Sequence, residues 1–355
     1  MNAIFLGLLL LSIIFVFVSN KNNKFIYSAI AILLISFLAG FRGNSVGIDT
    51  GAYIDALVRN FPKSWQFAET GYRIISVFLM KIVGNPSVVL FIYALITNFL
   101  IVRRLWEIRK KCNYPFMYLL YILIFYLNTL NIMRQFIVIA VLFYFSKLLQ
   151  EKKYILYTII IVLCSFVHRS ALLAILLVFI FLWNDFSKNK KIVFSLPILI
   201  ISIFTVVYIG KLESATVLHY FSSNQAIQNL NITFFYKVFA FIASYILFLT
   251  NKKIVVRKSN SEQEFVDLKK DKQFKIVSEL SFFGLIFSSM GMFFFIMSRF
   301  GLYYQIFELE YWGYLTQKNK NKFFNASLIL IYGIYVFAIE IIKNGSGIFP
   351  YYFNF

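Results

Sequence analysis

The sequence predicts an all-α, polytopic membrane protein with about twelve transmembrane helices, and three observations lead there. Of its 355 residues, 60% are hydrophobic and only 14% charged, far from the near-half apolar, quarter-charged mix of soluble domains. Apolar runs suited to a hydrocarbon layer of about 30 Å recur from end to end, divided by short polar segments. The formal charge of +20 is concentrated in alternate loops, the pattern of a chain whose basic loops stay on the cytoplasmic side. The charge is thus a topology signal, and nucleic acid is excluded as a partner.

The runs fall near 2–18, 25–41, 87–102, 115–130, 132–149, 154–167, 170–183, 192–209, 233–250, 276–297, 300–316 and 323–342. The first lacks a preceding Lys or Arg and a following small-residue cleavage pattern, so it reads as a retained helix and not a signal peptide. With the amino terminus outside, the inner loops carry Lys21 and Lys24; Arg103, Arg104, Arg109, Lys110 and Lys111; Lys147, Lys152 and Lys153; Lys188, Lys190 and Lys191; the 251–275 loop; and Lys318, Lys320 and Lys322. Together they hold 24 of the 35 basic residues. The whole chain, 1–355, reads as a single integral membrane domain, with 251–275 as a basic cytoplasmic loop.

Segment 72–84 is apolar but too short to cross, and a crossing there would move Arg103–Lys111 outside. It reads as a re-entrant or interfacial half-helix within a long outer loop, 42–86, ended by Gly84-Asn85-Pro86. Cys112 and Cys164 are too few for a disulfide framework or a metal site and receive no role. Glu308 and Glu310 fall inside a span, where acidic side chains are rare and usually paired.

With this topology, polar residues gather on the outer side: Arg42-Gly43-Asn44-Ser45-Val46-Gly47-Ile48-Asp49, Glu69-Thr70-Gly71-Tyr72, Asn131-Ile132-Met133-Arg134-Gln135, His168-Arg169-Ser170, and Arg299 with Tyr303 and Tyr304. Each stretch carries or adjoins an Arg near low-dielectric surroundings, where an unpaired charge is costly. A shared anion explains them together, and the planar guanidinium fork suits phosphate oxygens. Taken singly, Arg42 and Arg299 also fit snorkelling residues at helix ends, and His168-Arg169 a capping pair. Asp49, Glu69 and His168 are the candidate bases. Tyr53, Tyr72, Tyr303 and Tyr304 fit an interfacial aromatic belt, with sugar stacking as the alternative.

In order and spacing, Arg42…Gly47-x-Asp49…Tyr53, Glu69-x-Gly71-Tyr72, Asn131-x-x-Arg134-Gln135 and His168-Arg169-Ser170-Ala171 resemble the EpsG-like group of Wzy-type polysaccharide polymerases. The likeness continues more loosely through Arg299-Phe300-Gly301-Leu302-Tyr303-Tyr304. It implies a glycosyltransferase of capsule or exopolysaccharide assembly in the bacterial cytoplasmic membrane, joining undecaprenyl-pyrophosphate-linked repeat units on the outer face. On that reading Arg42, Arg134, Gln135, Arg169, Arg299 and Tyr303 bind substrate and its pyrophosphate, while Asp49, Glu69 or His168 takes the acceptor proton. No cofactor or metal is called for; membrane lipid and, from the same pathway, a flippase and a chain-length regulator are the expected partners. A lipid-linked oligosaccharide flippase or transporter, a membrane acyltransferase and an O-antigen-type ligase stay open as alternatives.

Overall fold

In a computed structural model the described residues are 3–65, 68–185, 253–257, 263–267, 271–290, 295–317 and 322–354, together with Ile242 and Ile246. The runs expected at 192–209 and 233–250 lie outside them, save for those two isoleucines. The described residues of the other expected runs are mainly helical. In chain order the elements are α1 (Ala3–Asn22), α2 (Phe25–Gly40), α3 (Thr50–Val58), a 3-10 turn (Lys63–Trp65), α4 (Thr70–Val83) and α5 (Pro86–Glu107). Next come α6 (Tyr114–Leu120), which continues through a π-helical segment (Tyr121–Tyr126) into α7 (Leu127–Asn131), then α8 (Met133–Phe145), α9 (Lys147–Gln150) and α10 (Tyr154–Ser165). A 3-10 turn (Arg169–Ala174) leads to α11 (Ile175–Asp185), and after the hairpin β1 (Lys253–Arg257) and β2 (Gln263–Asp267) follow α12 (Lys272–Met290), α13 (Phe295–Gln305), α14 (Glu308–Leu315) and α15 (Lys322–Lys343).

Four helices are long and apolar enough to cross a bilayer: α1, α5, the Met133–Gln150 unit and α15, beside the shorter apolar α2 and α10. The hairpin qualifies the all-α expectation. Its strands pair antiparallel, Lys253 opposite Asp267 and Arg257 opposite Gln263, where the β-branched run Ile254-Val255-Val256 favours extended backbone within the basic 251–275 segment.

α5 and α8 form the buried centre, whereas α1 and α15 turn most of their surface outward. The outward faces carry Leu10, Ile14, Phe17, Ile331 and Ile334, together with Ile155 and Leu163 of α10; lipid, not water, suits such a surface. Inside, tyrosine hydroxyls of the α6–α7 unit bind neighbouring helices: Tyr118 donates to Ser12 Oγ (2.9 Å), Tyr121 to Asn98 Oδ1 (2.5 Å) and Tyr126 to the Ile35 carbonyl (2.7 Å). Between apolar helices such bonds bring partners into register, because an unpaired hydroxyl in hydrocarbon is costly.

The expected inner loops meet at one end. Arg109 donates to Asn23, Lys111 to Gln273, and Gln317 to the Lys110 carbonyl; Lys147 pairs with Glu107, and Lys152 and Lys272 with Asp185. At the same end Arg104 and Glu310 form a buried ion pair (3.3 Å), with Gln273 donating to the other Glu310 oxygen (2.6 Å). Glu310 therefore lies at the end of the bundle where the expected inner loops meet.

At the other end, α4 is a short helix of 14 residues, about 21 Å long and too short to span the hydrocarbon. Gly84 closes it in the left-handed region (φ +66°), Asn85 Oδ1 accepts from the Ser87 amide, and Pro86 opens α5. α4 folds back on α5 through Tyr72 against Tyr93 and a Ser76–Tyr93 hydroxyl bond of 2.7 Å.

Candidate functional site

Glu69 stands at the N-cap of α4 in extended conformation, but its carboxylate makes no cap bond. It turns instead to two other stretches. Oε2 accepts from Arg134 Nη1 at 2.6 Å, Oε1 accepts from the Arg169 amide at 3.0 Å, and His168 Nδ1 lies 3.3 Å from Oε1. The last approach is a close polar contact that is too poorly aligned for a full hydrogen bond. Burial raises the Glu69 pKa; the contacts from His168 and the Arg169 amide, with the Arg134 charge, overcome it and hold the carboxyl at about 2. Arg134 and Arg169, far apart in sequence, thus share one carboxylate at one end of the bundle.

The Glu69-x-Gly71-Tyr72 pattern has a steric reason. A Cβ on Gly71 would lie 2.7 Å from the Phe166 carbonyl oxygen, and the Tyr72 amide donates to that same oxygen at 3.2 Å. Only glycine lets α4 approach the turn that presents His168 and Arg169. The Arg134 guanidinium lies over the rings of Trp65 (5.3 Å) and Tyr72 (5.4 Å), where the ring faces favour positive charge. Next to it, Gln135 Nε2 donates to the Arg299 carbonyl at 2.6 Å, which ties α8 to α13. Ser170 and Tyr303 hydroxyls meet at 2.8 Å and tie the Arg169 turn to the same helix.

Asp49 comes from the outer loop, and its amide donates to Asn131 Oδ1 at 3.0 Å. Gly47 (φ +90°) turns the chain immediately before it. The carboxylate is half-buried and has no hydrogen-bond partner among the described residues. Burial raises its pKa, and the charges of Arg299 and Arg134 oppose that rise. Arg299 and Arg169 are exposed, and the Arg169 guanidinium has no partner among the described residues.

Arg42 departs from the ligand-binding expectation. It is 1% exposed, and its nitrogens donate to Thr50 Oγ1 (2.9 Å), the Leu130 carbonyl (2.8 Å) and the Ala39 carbonyl. Burial lowers its pKa to about 10, still charged at neutral pH. Every nitrogen is spent on its own chain, so Arg42 anchors the loop. The four tyrosines depart from the sugar-stacking alternative, since Tyr53, Tyr72, Tyr303 and Tyr304 are 4%, 1%, 2% and 1% exposed and present no free face.

Among the described residues, four buried polar atoms remain without a full hydrogen bond in this cluster: Tyr72 Oη, Arg134 Nε, Gln135 Oε1 and His168 Nδ1. Buried polar groups are ordinarily satisfied, so such a group implies a water or a ligand. With two exposed guanidinium groups and a half-buried carboxylate beside them, the place suits a polyanion next to a proton acceptor.

The EpsG family model matches residues 25–353. The chain belongs to the EpsG family. Membership covers all the elements of the site and points to a polymerase-like role in polysaccharide biosynthesis. Neither a curated protein nor a solved structure matches the chain. Sequence reasoning about this EpsG-family protein passed over Trp65, whose signal is its place as the single Trp of the outer loop. It also passed over the segment after α15. There the Gly347 carbonyl accepts from the Gly47 amide (2.8 Å), Ser346 from Ile48 (3.0 Å) and Tyr352 from Gly43 (2.8 Å).

Proposed function

We propose that this protein is a repeat-unit polymerase: it transfers a growing oligosaccharide from one undecaprenyl pyrophosphate to a hydroxyl of the next lipid-linked unit on the outer face of the cell membrane. The observation that carries the reading is the Glu69 carboxylate holding Arg134 and the Arg169 turn side by side.

In the reaction the acceptor oxygen forms a bond to the anomeric carbon of the donor's first sugar. The bond from that carbon to the pyrophosphate oxygen breaks, and the electron pair leaves with the lipid pyrophosphate. Arg134, Arg169 and Arg299 stabilise the charge that develops there, in surroundings already organised to receive it. The acceptor proton passes to Asp49. Glu69, held at about 2, is a weak base near neutrality and serves to orient Arg134. Asp49 is the better acceptor, because its carboxylate has no hydrogen-bond partner among the described residues and burial raises its proton affinity.

The test is the purified full chain in proteoliposomes with a defined lipid-linked repeat unit. A ladder of joined units and free lipid pyrophosphate is expected. Arg134→Ala and Arg169→Ala, at equal membrane abundance, should each slow joining by about 10²–10³. Normal polymer from both variants, or translocation of the unit without any joining, overturns the proposal.

A further inference from the structure

We infer that Trp65 is the platform on which the sugar attached to the pyrophosphate lies. The inference rests on the pyrophosphate reading above and adds a recognition element for the sugar. An aromatic ring serves a sugar only if a face or broad edge is open, and the four outer tyrosines are closed off. Trp65 differs: it sits in a 3-10 turn with no buried residue and is part-exposed.

Its ring is also held in place. It packs on Tyr53 (centroids 5.7 Å apart, tilted) and edge-on against Phe61 (5.9 Å), while its amide donates to the Pro62 carbonyl at 2.8 Å. A rigid indole loses little freedom when it binds, and its large apolar surface matches the C–H face of a pyranose. Its distance from the anion site then selects which sugar it meets. Arg134 Cζ lies 5.3 Å from the ring centroid, so a pyrophosphate on Arg134 places the directly attached sugar, and not a distal one, beside the indole. Trp65 would thereby position the anomeric carbon between the departing pyrophosphate and Asp49.

Two ligands separate this from its rivals: a polyprenyl pyrophosphate without sugar, and the same lipid carrying one sugar. Their binding is measured on the full chain in nanodiscs, for the wild type, Trp65→Ala, Trp65→Phe and Arg134→Ala, with thermal unfolding of each variant recorded. Trp65→Ala should weaken the sugar-bearing ligand about tenfold and leave the bare pyrophosphate unchanged, while Trp65→Phe keeps most of the affinity. Equal weakening of both ligands by Trp65→Ala means that the indole only steadies Arg134, and the platform is overturned. No change in either ligand overturns it too. Should Trp65→Ala fail to fold, Trp65→Phe and Trp65→Leu decide: the platform requires Phe to bind the sugar-bearing ligand better than Leu. If instead Arg134→Ala leaves both affinities intact, the pyrophosphate reading is what fails, whatever Trp65 does.

Discussion

Two carboxylates on one outer loop are driven in opposite directions by their surroundings. Glu69 is given donors, and Asp49 is left half-buried without one among the described residues. The difference assigns them different work and different pH behaviour. Since Asp49 has its pKa raised above the ordinary 3.8, the acid limb of kcat/KM should lie above that of an unperturbed aspartate. Arg299 pulls that pKa down, so Arg299→Gln should move the limb to higher pH, a shift that mere loss of substrate affinity would not produce. Asp49→Asn should lower turnover by about 10²–10⁴ at unchanged membrane abundance, the range of a lost general base. For Glu69 the folded pKa of about 2 lies below the ordinary 4.5, so its stabilising effect is fully present above about 4.5 and is lost as pH falls from there toward 2. Thermal unfolding of wild type and Glu69→Gln in detergent should therefore differ by a constant gap above pH 4.5 that closes on acidification; a gap independent of pH would show that the ion pair is not its source.

Among the elements, α4 connects the site to the bundle, and its fit depends on one hydrogen atom. Gly71→Ala would place a methyl group 2.7 Å from a backbone oxygen of the α10 turn, which has no side-chain freedom with which to yield. The helix must shift, at a cost of about 1–3 kcal/mol, and Glu69, next but one in sequence, shifts with it. A lower unfolding midpoint and reduced joining are expected, whereas Gly345→Ala, with nothing within 4 Å of its Cβ, should be neutral. The helices themselves were legible because apolar length and basic loops report directly on a bilayer, and the short α4 declared itself by its length and its Gly-Asn-Pro stop. The candidate site was legible only as a set of Arg-bearing turns expected on one side. Partners were not: sequence cannot show that Arg42 would engage all three of its nitrogens on Ala39, Leu130 and Thr50, or that the tyrosines would be closed off, because both follow from how distant segments pack.

Across the whole molecule the two charged levels are separate structures linked by α5. Tyr93 touches the site through Tyr72, and Arg104, eleven residues on and about 16 Å along the axis, belongs to the ion-pair lattice at the opposite end. What holds the outer loop at its level comes from elsewhere in the chain. The segment after α15 accepts hydrogen bonds from the amides of Gly43, Gly47 and Ile48, donates from Asn354 to the Phe41 carbonyl, and sends the Tyr351 hydroxyl to the Leu38 carbonyl at 2.5 Å. The Tyr352 ring fills the space that a side chain at position 43 would need. Each backbone bond contributes about 1 kcal/mol net, enough together to decide whether the loop carrying Asp49 is ordered, yet small beside the burial that holds the bundle. Removing residues 345–355 should therefore leave the protein in the membrane, since α15 ends at Lys343, while hydrogen exchange at Gly43, Gly47 and Ile48 accelerates and joining falls at least about tenfold. Tyr352→Phe, which deletes only the exposed hydrogen bonds of its hydroxyl with the Ser45 amide and hydroxyl and keeps every backbone bond of the segment, should behave nearly as wild type. A shortened chain that joins repeat units at the normal rate would mean that the Asp49 loop holds its shape unaided.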